Sequence, residues 1–257
     1  MPYFLEGGTR TAGGGNYSPL ALVWRRAPNG VILSYSRAFE MYGRTWILTP
    51  DSMVVPAERL QNMRRSTFKG VHLADAGLSL PLGWNRQKQP LELFVKESGT
   101  FVPSGRMLAA KTPVEIVDAP EKQGTMAYFP LRDGSGHYLP RTTAPEKQLD
   151  VPVSISRAAG KLPRSVAPGE RWIEVKIRPG TMTAYEGLEP VFATLFSPGK
   201  GGPPVPGLNH EKYMTTAVGH FPVEWKERVA TMSSEPGEPT IQWYTDVPNQ
   251  QYLRAPL

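Results

Sequence analysis

A mainly β fold is what this sequence predicts, and three features carry the prediction. Twenty-seven prolines and 25 glycines punctuate 257 residues without forming a low-complexity run, a density that interrupts helices and suits short strands joined by turns. Between them lie short runs rich in β-branched and aromatic residues, some alternating with period two, as in RWIEVKI from Arg171 to Ile177. Helical spacing is confined to PAERLQNMRR, Pro56 to Arg65, where Leu60 and Met63 stand three apart over too few residues to anchor a helical domain.

The elements follow in chain order. Residues 1 to about 20 are Gly-rich and read as loop. LALVWRR, GVILSY and TWILTP, separated by Pro28-Asn29-Gly30 and Gly43, form a strand meander. From Leu91 to Arg141 short strands are joined by turns at Glu121-Lys122-Gln123-Gly124 and Asp133-Gly134-Ser135-Gly136. This pattern resembles a bacterial SH3-like module, and an unrelated small β-domain explains it as well. Residues 142–169 carry four prolines and little periodicity, which marks a linker between an N-terminal β-rich region, 1–141, and a second domain, 170–257.

In that second domain, Trp172, Glu174 and Lys176 share one face of a strand, with Ile173, Val175 and Ile177 on the other; the apolar set is expected to face the core. Arg178-Pro179-Gly180 turns the chain, TMTAY returns, Glu186-Gly187 turns it again, and PVFATLF makes a third strand of an antiparallel sheet.

The net charge of +6 suits acidic partners in general. The basic residues are scattered, however, and no RNA-recognition signature, zinc-finger spacing or basic helix points to nucleic acid. Cysteine is absent, which removes disulfides, thiolate metal sites and thiol nucleophiles from these residues. No apolar run approaches the ~20 residues of a membrane-spanning helix, and the first 15 residues lack a signal-peptide profile. The four histidines do not form H-E-x-x-H or another zinc spacing, no G-x-S-x-G or S-x-x-K signature appears, and the glycine-rich stretches lack the strand-then-helix context of phosphate loops. No metal site and no cofactor site is expected.

Residues 170–257 resemble the front half of the L,D-transpeptidase (YkuD-type) catalytic domain. The pattern L-x-x-Y-x-x-G is matched by Met182, Tyr185 and, one residue early, Gly187; T-x-x-S-x-G is matched by Thr194, Ser197 and Gly199. A third block, T-P-x-G-x-F/Y-x-I with a following lysine and methionine, is matched by Thr215, Thr216, Gly219, Phe221, Val223, Lys226 and Met232, without the proline. The intervening loop, PGKGGPPVPGLNHEKYM, is longer than the family's and reads as a lid insertion.

The resemblance implies a mainly β chain, SH3-like module first and an incomplete transpeptidase-type β-sandwich after it. It implies a peptidoglycan enzyme whose cysteine thiolate attacks a stem-peptide carbonyl and passes the acyl group to a neighbouring stem, with backbone donors holding the oxyanion. In the family those parts sit in a later His and Ser-His-Gly-Cys motif, expected beyond Leu257. This chain is therefore expected to have no catalytic residue and no activity of its own. Met232, near the family's substrate pocket, and His220, beside its turn, are the candidate substrate-binding residues, each with a packing role as the alternative. Tyr185 and Trp243 are expected in packing. The implied partners are peptidoglycan stem peptides, and the implied location is the periplasm or cell envelope, with a signal or anchor upstream. A non-catalytic peptidoglycan-binding protein is the alternative.

Overall fold

The computed structural model describes residues 31–50, 52–62, 66–144, 152–199, 201–202, 204–205, 207–210, 213–233 and 244–253. Among the described residues strands dominate and every strand pair is antiparallel, so the mainly β class stands. The chain divides into two compact units, one spanning Thr67–His220 and one made of the residues up to Ser66 with those from Phe221 onward. This differs from the expected division at 141 and 169.

In the discontinuous unit, β1 (Arg37–Met41) and β2 (Arg44–Leu48) form a hairpin, and β3 (Val54–Pro56) adds to β2. Tyr42 and Gly43 both have positive φ, 54° and 70°, the conformation that lets a two-residue turn follow the right-handed twist of its strands. Trp46 and Ile47 are buried, and the Trp46 indole donates to the Met41 carbonyl at 3.1 Å. TWIL is thus a strand as expected, whereas residues 31–35 of GVILSY form no strand, only a single bridge residue at Leu33. LALVWRR lies outside the described residues, as does the Gly-rich start. Of the stretch with helical spacing, the described residues 56–62 hold a 3-10 turn, Ala57–Arg59, and no α-helix.

The 67–220 unit starts with β4 (Val71–His72) and a one-turn helix α1 (Leu73–Ala76). It continues through β5 (Leu82–Asn85), β6 (Leu91–Glu97), β7 (Thr100–Leu108), β8 (Pro113–Glu115), β9 (Glu121–Gln123), β10 (Met126–Pro130), β11 (His137–Thr142), β12 (Val153–Ser156), β13 (Arg171–Lys176), β14 (Thr181–Glu186) and β15 (Glu189–Leu195). Three sheets result: β7-β6-β11-β10-β9, β12-β5-β8 and β13-β14-β15-β4.

The three-stranded sheet is the middle layer, because β5 alternates between two cores. Leu82 and Trp84 pack with Leu73, Ala193 and Leu195 toward the four-stranded sheet. On the other face, Val153, Ile155 and Ile116 join Leu93, Leu108, Ala127, Phe129 and Leu139 of the five-stranded sheet. Gly83 sits where any Cβ would collide with the Leu139 side chain, so its lack of a side chain sets how closely those two layers approach. Asn85, fully buried beside it, donates to the carbonyls of Gln89 at 2.9 Å and Leu108 at 3.0 Å and accepts from the Gln87 amide, which offsets its burial.

The middle layer overturns the linker expected over 142–169. Within that span β12 is buried at all four residues. Val153 and Ile155 enter the core, Ser156 Oγ accepts from the Trp84 indole at 2.9 Å, and Ser154 bonds the Pro179 carbonyl. Prolines flanking the V-S-I-S alternation masked a strand that fills the centre of the unit.

The five-stranded sheet curls. Phe101 on β7 stacks on Tyr128 of β10 at 3.9 Å and 8°, although β6 and β11 separate their strands in sheet order. Phe94 and Tyr138 complete this aromatic cluster, on the face opposite the Leu93–Leu139 core. Lys96 pairs with Glu121, and the Phe101 amide donates to Gln123 Oε1 at 3.1 Å, tying the sheet's two ends together. Residues 121–123, expected as a turn, are the edge strand β9; the reversal falls one step later at Gly124. The turn at Asp133–Gly136 forms as expected, with Asp133 Oδ1 accepting from the Ser135 amide.

Beyond the 67–220 unit, β16 (Val223–Ser233) and β17 (Tyr244–Leu253) form a two-stranded ribbon. Trp225 and Tyr252 stack across it at 4.5 Å, yet Trp225, Val229 and Leu253 are all at least half exposed.

Candidate functional site

The three blocks of the transpeptidase resemblance fall on the four-stranded sheet, the loop after it, and the ribbon. Met182 and Tyr185 lie on β14, Gly187 makes the turn to β15 with a φ of 60°, and Thr194 is buried near the end of β15. The turns at 178–180 and 186–187 and the pairing of β13, β14 and β15 match the expected antiparallel sheet.

Its facing, however, is the reverse of the expected one. Trp172, Glu174 and Lys176 face inward, while Ile173 and Val175 are 47% and 40% exposed. Tyr185 decides this. Its ring, 1% exposed, stacks on Trp172 at 4.3 Å and 12°, and the Trp172 indole donates to the Gly187 carbonyl at 2.6 Å. The Tyr185 hydroxyl accepts the Ala159 amide at 3.0 Å and donates to Glu174 Oε2 at 3.2 Å. Glu174 in turn pairs with Lys176 at 3.0 Å, and Lys176 Nζ donates to the Arg157 carbonyl at 3.0 Å. Glu174 and Lys176 are thus held on the inner face by partners that sequence alternation alone does not reveal. The one available signal was that Trp172 shares their face.

Burial, assisted by the charge of Glu174, pushes the Tyr185 phenol up to about 12. The phenol is therefore neutral at physiological pH and acts as a hydrogen-bonding strut for residues 157–160, not as a base or nucleophile. Tyr185 stands in packing as expected; Trp243 lies outside the described residues.

The loop after β15 closes on itself. The Gly199 amide donates to Thr216 Oγ1 at 2.8 Å, the Gly201 amide to the Met214 carbonyl at 2.9 Å, and the Thr215 amide to the His210 carbonyl at 2.9 Å. A Cβ at Gly199 or Gly201 would overlap the carbonyl oxygen of Met214 or Tyr213, so the two arms of the loop meet only because both positions are glycine. The first of these bonds joins the second block to the third, Gly199 to Thr216.

His220, exposed, is the last residue of the 67–220 unit. Met232 lies in the other unit, on β16, paired with Thr245 of β17. His72 is exposed with its ring 4.9 Å from that of Phe192, and His210 sits in the loop. Among the described residues, no group of three or more histidines and carboxylates could hold a metal ion. No helix among them is long and apolar enough to cross a membrane.

No protein-family model matches this chain, and neither curated proteins nor solved structures give a match.

Proposed function

We propose that these residues supply a peptidoglycan-directed platform of the L,D-transpeptidase type that binds stem peptides without carrying out acyl transfer. The observation that carries the reading is the bond from the Gly199 amide to Thr216 Oγ1, which joins two blocks of the resemblance in a chain that has no cysteine. Acyl transfer in that family needs a thiolate, and these residues contain no thiol to form one. Such a role belongs to the periplasm or cell envelope.

The test is cosedimentation of the full 257-residue chain with purified sacculi, with D-alanine release and carbapenem adducts followed by mass spectrometry. The chain is expected to sediment with sacculi, to be displaced by free stem tetrapeptide, and to give neither D-alanine nor adduct. Failure to sediment overturns the proposal, as does a stable covalent adduct.

The absence of a thiol equally favours a second reading, a non-catalytic peptidoglycan-binding protein with the curled five-stranded sheet as the holding module. Sedimentation that excess stem tetrapeptide does not displace selects that reading over the first.

A further inference from the structure

β13 is an outer strand of the four-stranded sheet: β14 pairs with it on one side, and no described strand pairs with it on the other. Its register sets Arg171 opposite Glu186, and just before it the Glu170 carbonyl accepts from the Gly187 amide at 2.9 Å. Bonding alternates along an antiparallel strand. The even-numbered residues therefore hold β14, and the amides and carbonyls of Arg171, Ile173 and Val175 point out of the sheet, where they meet no partner among the described residues. The side chains of the same three residues stand on the outer face, with Ile173 and Val175 both exposed. Free backbone groups beside exposed β-branched side chains are a template for one more strand.

Inward-pointing charges normally guard such an edge, and here Glu174 and Lys176 guard it selectively. A second copy of β13 related by a two-fold axis runs antiparallel to the first. Centred on Trp172, the pairing sets Glu170 against Glu174 of the second copy; centred on Glu174, it sets that carboxylate against itself. Like charges directly opposite are destabilising. Centred on Val175, no like charges meet, but only Glu174 to Lys176 of each strand overlap. Centred on Ile173, Arg171 to Val175 of both copies overlap, Glu170 faces Lys176, and Trp172 faces Glu174. On the outer face Ile173 then packs against its own counterpart, and the stem of the highly exposed Arg171 covers Val175.

We propose that β13 is a homodimer interface: two copies of this chain join their four-stranded sheets edge to edge about a two-fold axis at Ile173. Long overlap without opposed like charges occurs in that register alone, and this self-complementarity selects a second copy over an unrelated strand. The interface does not rest on the peptidoglycan reading, since it uses only Glu170 and β13 and contains neither His220 nor Met232.

The test is sedimentation velocity of the full chain across a wide range of concentration, which is expected to show a reversible monomer–dimer equilibrium. Ile173→Lys, neutral for the fold of one copy, sets like charges across the axis and should weaken association at least tenfold. Ile173→Pro removes an amide that points out of the sheet, a change edge strands tolerate, and should leave a folded monomer by circular dichroism. Because the chain has no cysteine, a single introduced thiol reports the register. Ile173→Cys sets two thiols on opposed residues whose Cα atoms are about 5.5 Å apart, within disulfide reach, and diamide should convert it to a covalent dimer. In Val175→Cys the separation is roughly 14 Å, and cross-linking should be at least tenfold slower. A chain that stays monomeric at every concentration overturns the interface, as does association that Ile173→Lys leaves unchanged. Faster cross-linking of Val175→Cys than of Ile173→Cys overturns it as well, and this readout stands even if Ile173→Pro does not fold.

Discussion

Replacing Tyr185 by phenylalanine keeps the ring stacked on Trp172 and deletes only the hydroxyl that accepts from Ala159 and donates to Glu174. A buried amide left without its acceptor costs about 1–3 kcal/mol, and the bond to a charged carboxylate adds to that. With Glu174 partly exposed and still paired to Lys176, water offsets part of the second loss, so the net is about 2 kcal/mol. For a chain of this size that lowers Tm by roughly 4–8 °C at neutral pH.

The same phenol gives the prediction a sign in alkali. Its pKa stands at about 12 in the fold against an ordinary phenol value of 10.0. A raised folded value means that the stabilisation is fully present below pH 10 and is lost as pH rises toward 12, because only the unfolded chain releases the proton in that window. At about 1.4 kcal/mol per pH unit, wild type loses about 2 kcal/mol by pH 11.5, which is about what the substitution costs at neutrality. Urea titrations of both proteins at intervals from pH 7 to 11.5 are therefore expected to show a gap that is constant up to about pH 10 and closes by the end of the range. A gap that stays constant throughout, or no gap at neutral pH, refutes the strut.

Ile173→Lys tests the facing of β13: with Ile173 on the outer face, urea titration should move by no more than about 0.5 kcal/mol, whereas Trp172→Ala should cost about 3–5 kcal/mol through the lost stack and cavity. A large loss from Ile173→Lys restores the register in which the apolar set points inward. In acid, the Ser79 hydroxyl donates to Glu115 at 2.6 Å and holds that carboxyl below its ordinary value; the Ser79 amide and Arg132 assist. A depressed folded value gives stability that is present above pH 4.5 and lost as pH falls below it. Ser79→Ala is expected to flatten this acid loss in melting curves between pH 5 and 3; an unchanged slope counts against the clamp.

Several features of the sheets were legible from local rules. Tyr42-Gly43, Arg178-Pro179-Gly180 and Glu186-Gly187 all turn the chain where glycine allows positive φ, because turn chemistry depends on a residue's own backbone freedom. The pairing of β13, β14 and β15 followed from those turns and the strand lengths. The candidate site was less legible. Met182, Tyr185, Gly187, Thr194 and Gly199 could be marked by pattern, but the bond from Gly199 to Thr216 spans 17 residues and depends on how the loop folds back. His220 and Met232, marked together, fall in different units.

Composition and spacing by themselves determined a β-rich chain, the places where it turns, and the lack of a thiol, since each is a property of single residues or near neighbours. Only the tertiary structure decided which face of an alternating strand is buried. Trp172, Glu174 and Lys176 went inside because Tyr185, Ala159 and Arg157 were there to meet them, and VSIS became the middle layer because two sheets lay on either side of it. Period two places residues on a common face, but the energy that makes that face the inner one comes from partners distant in sequence.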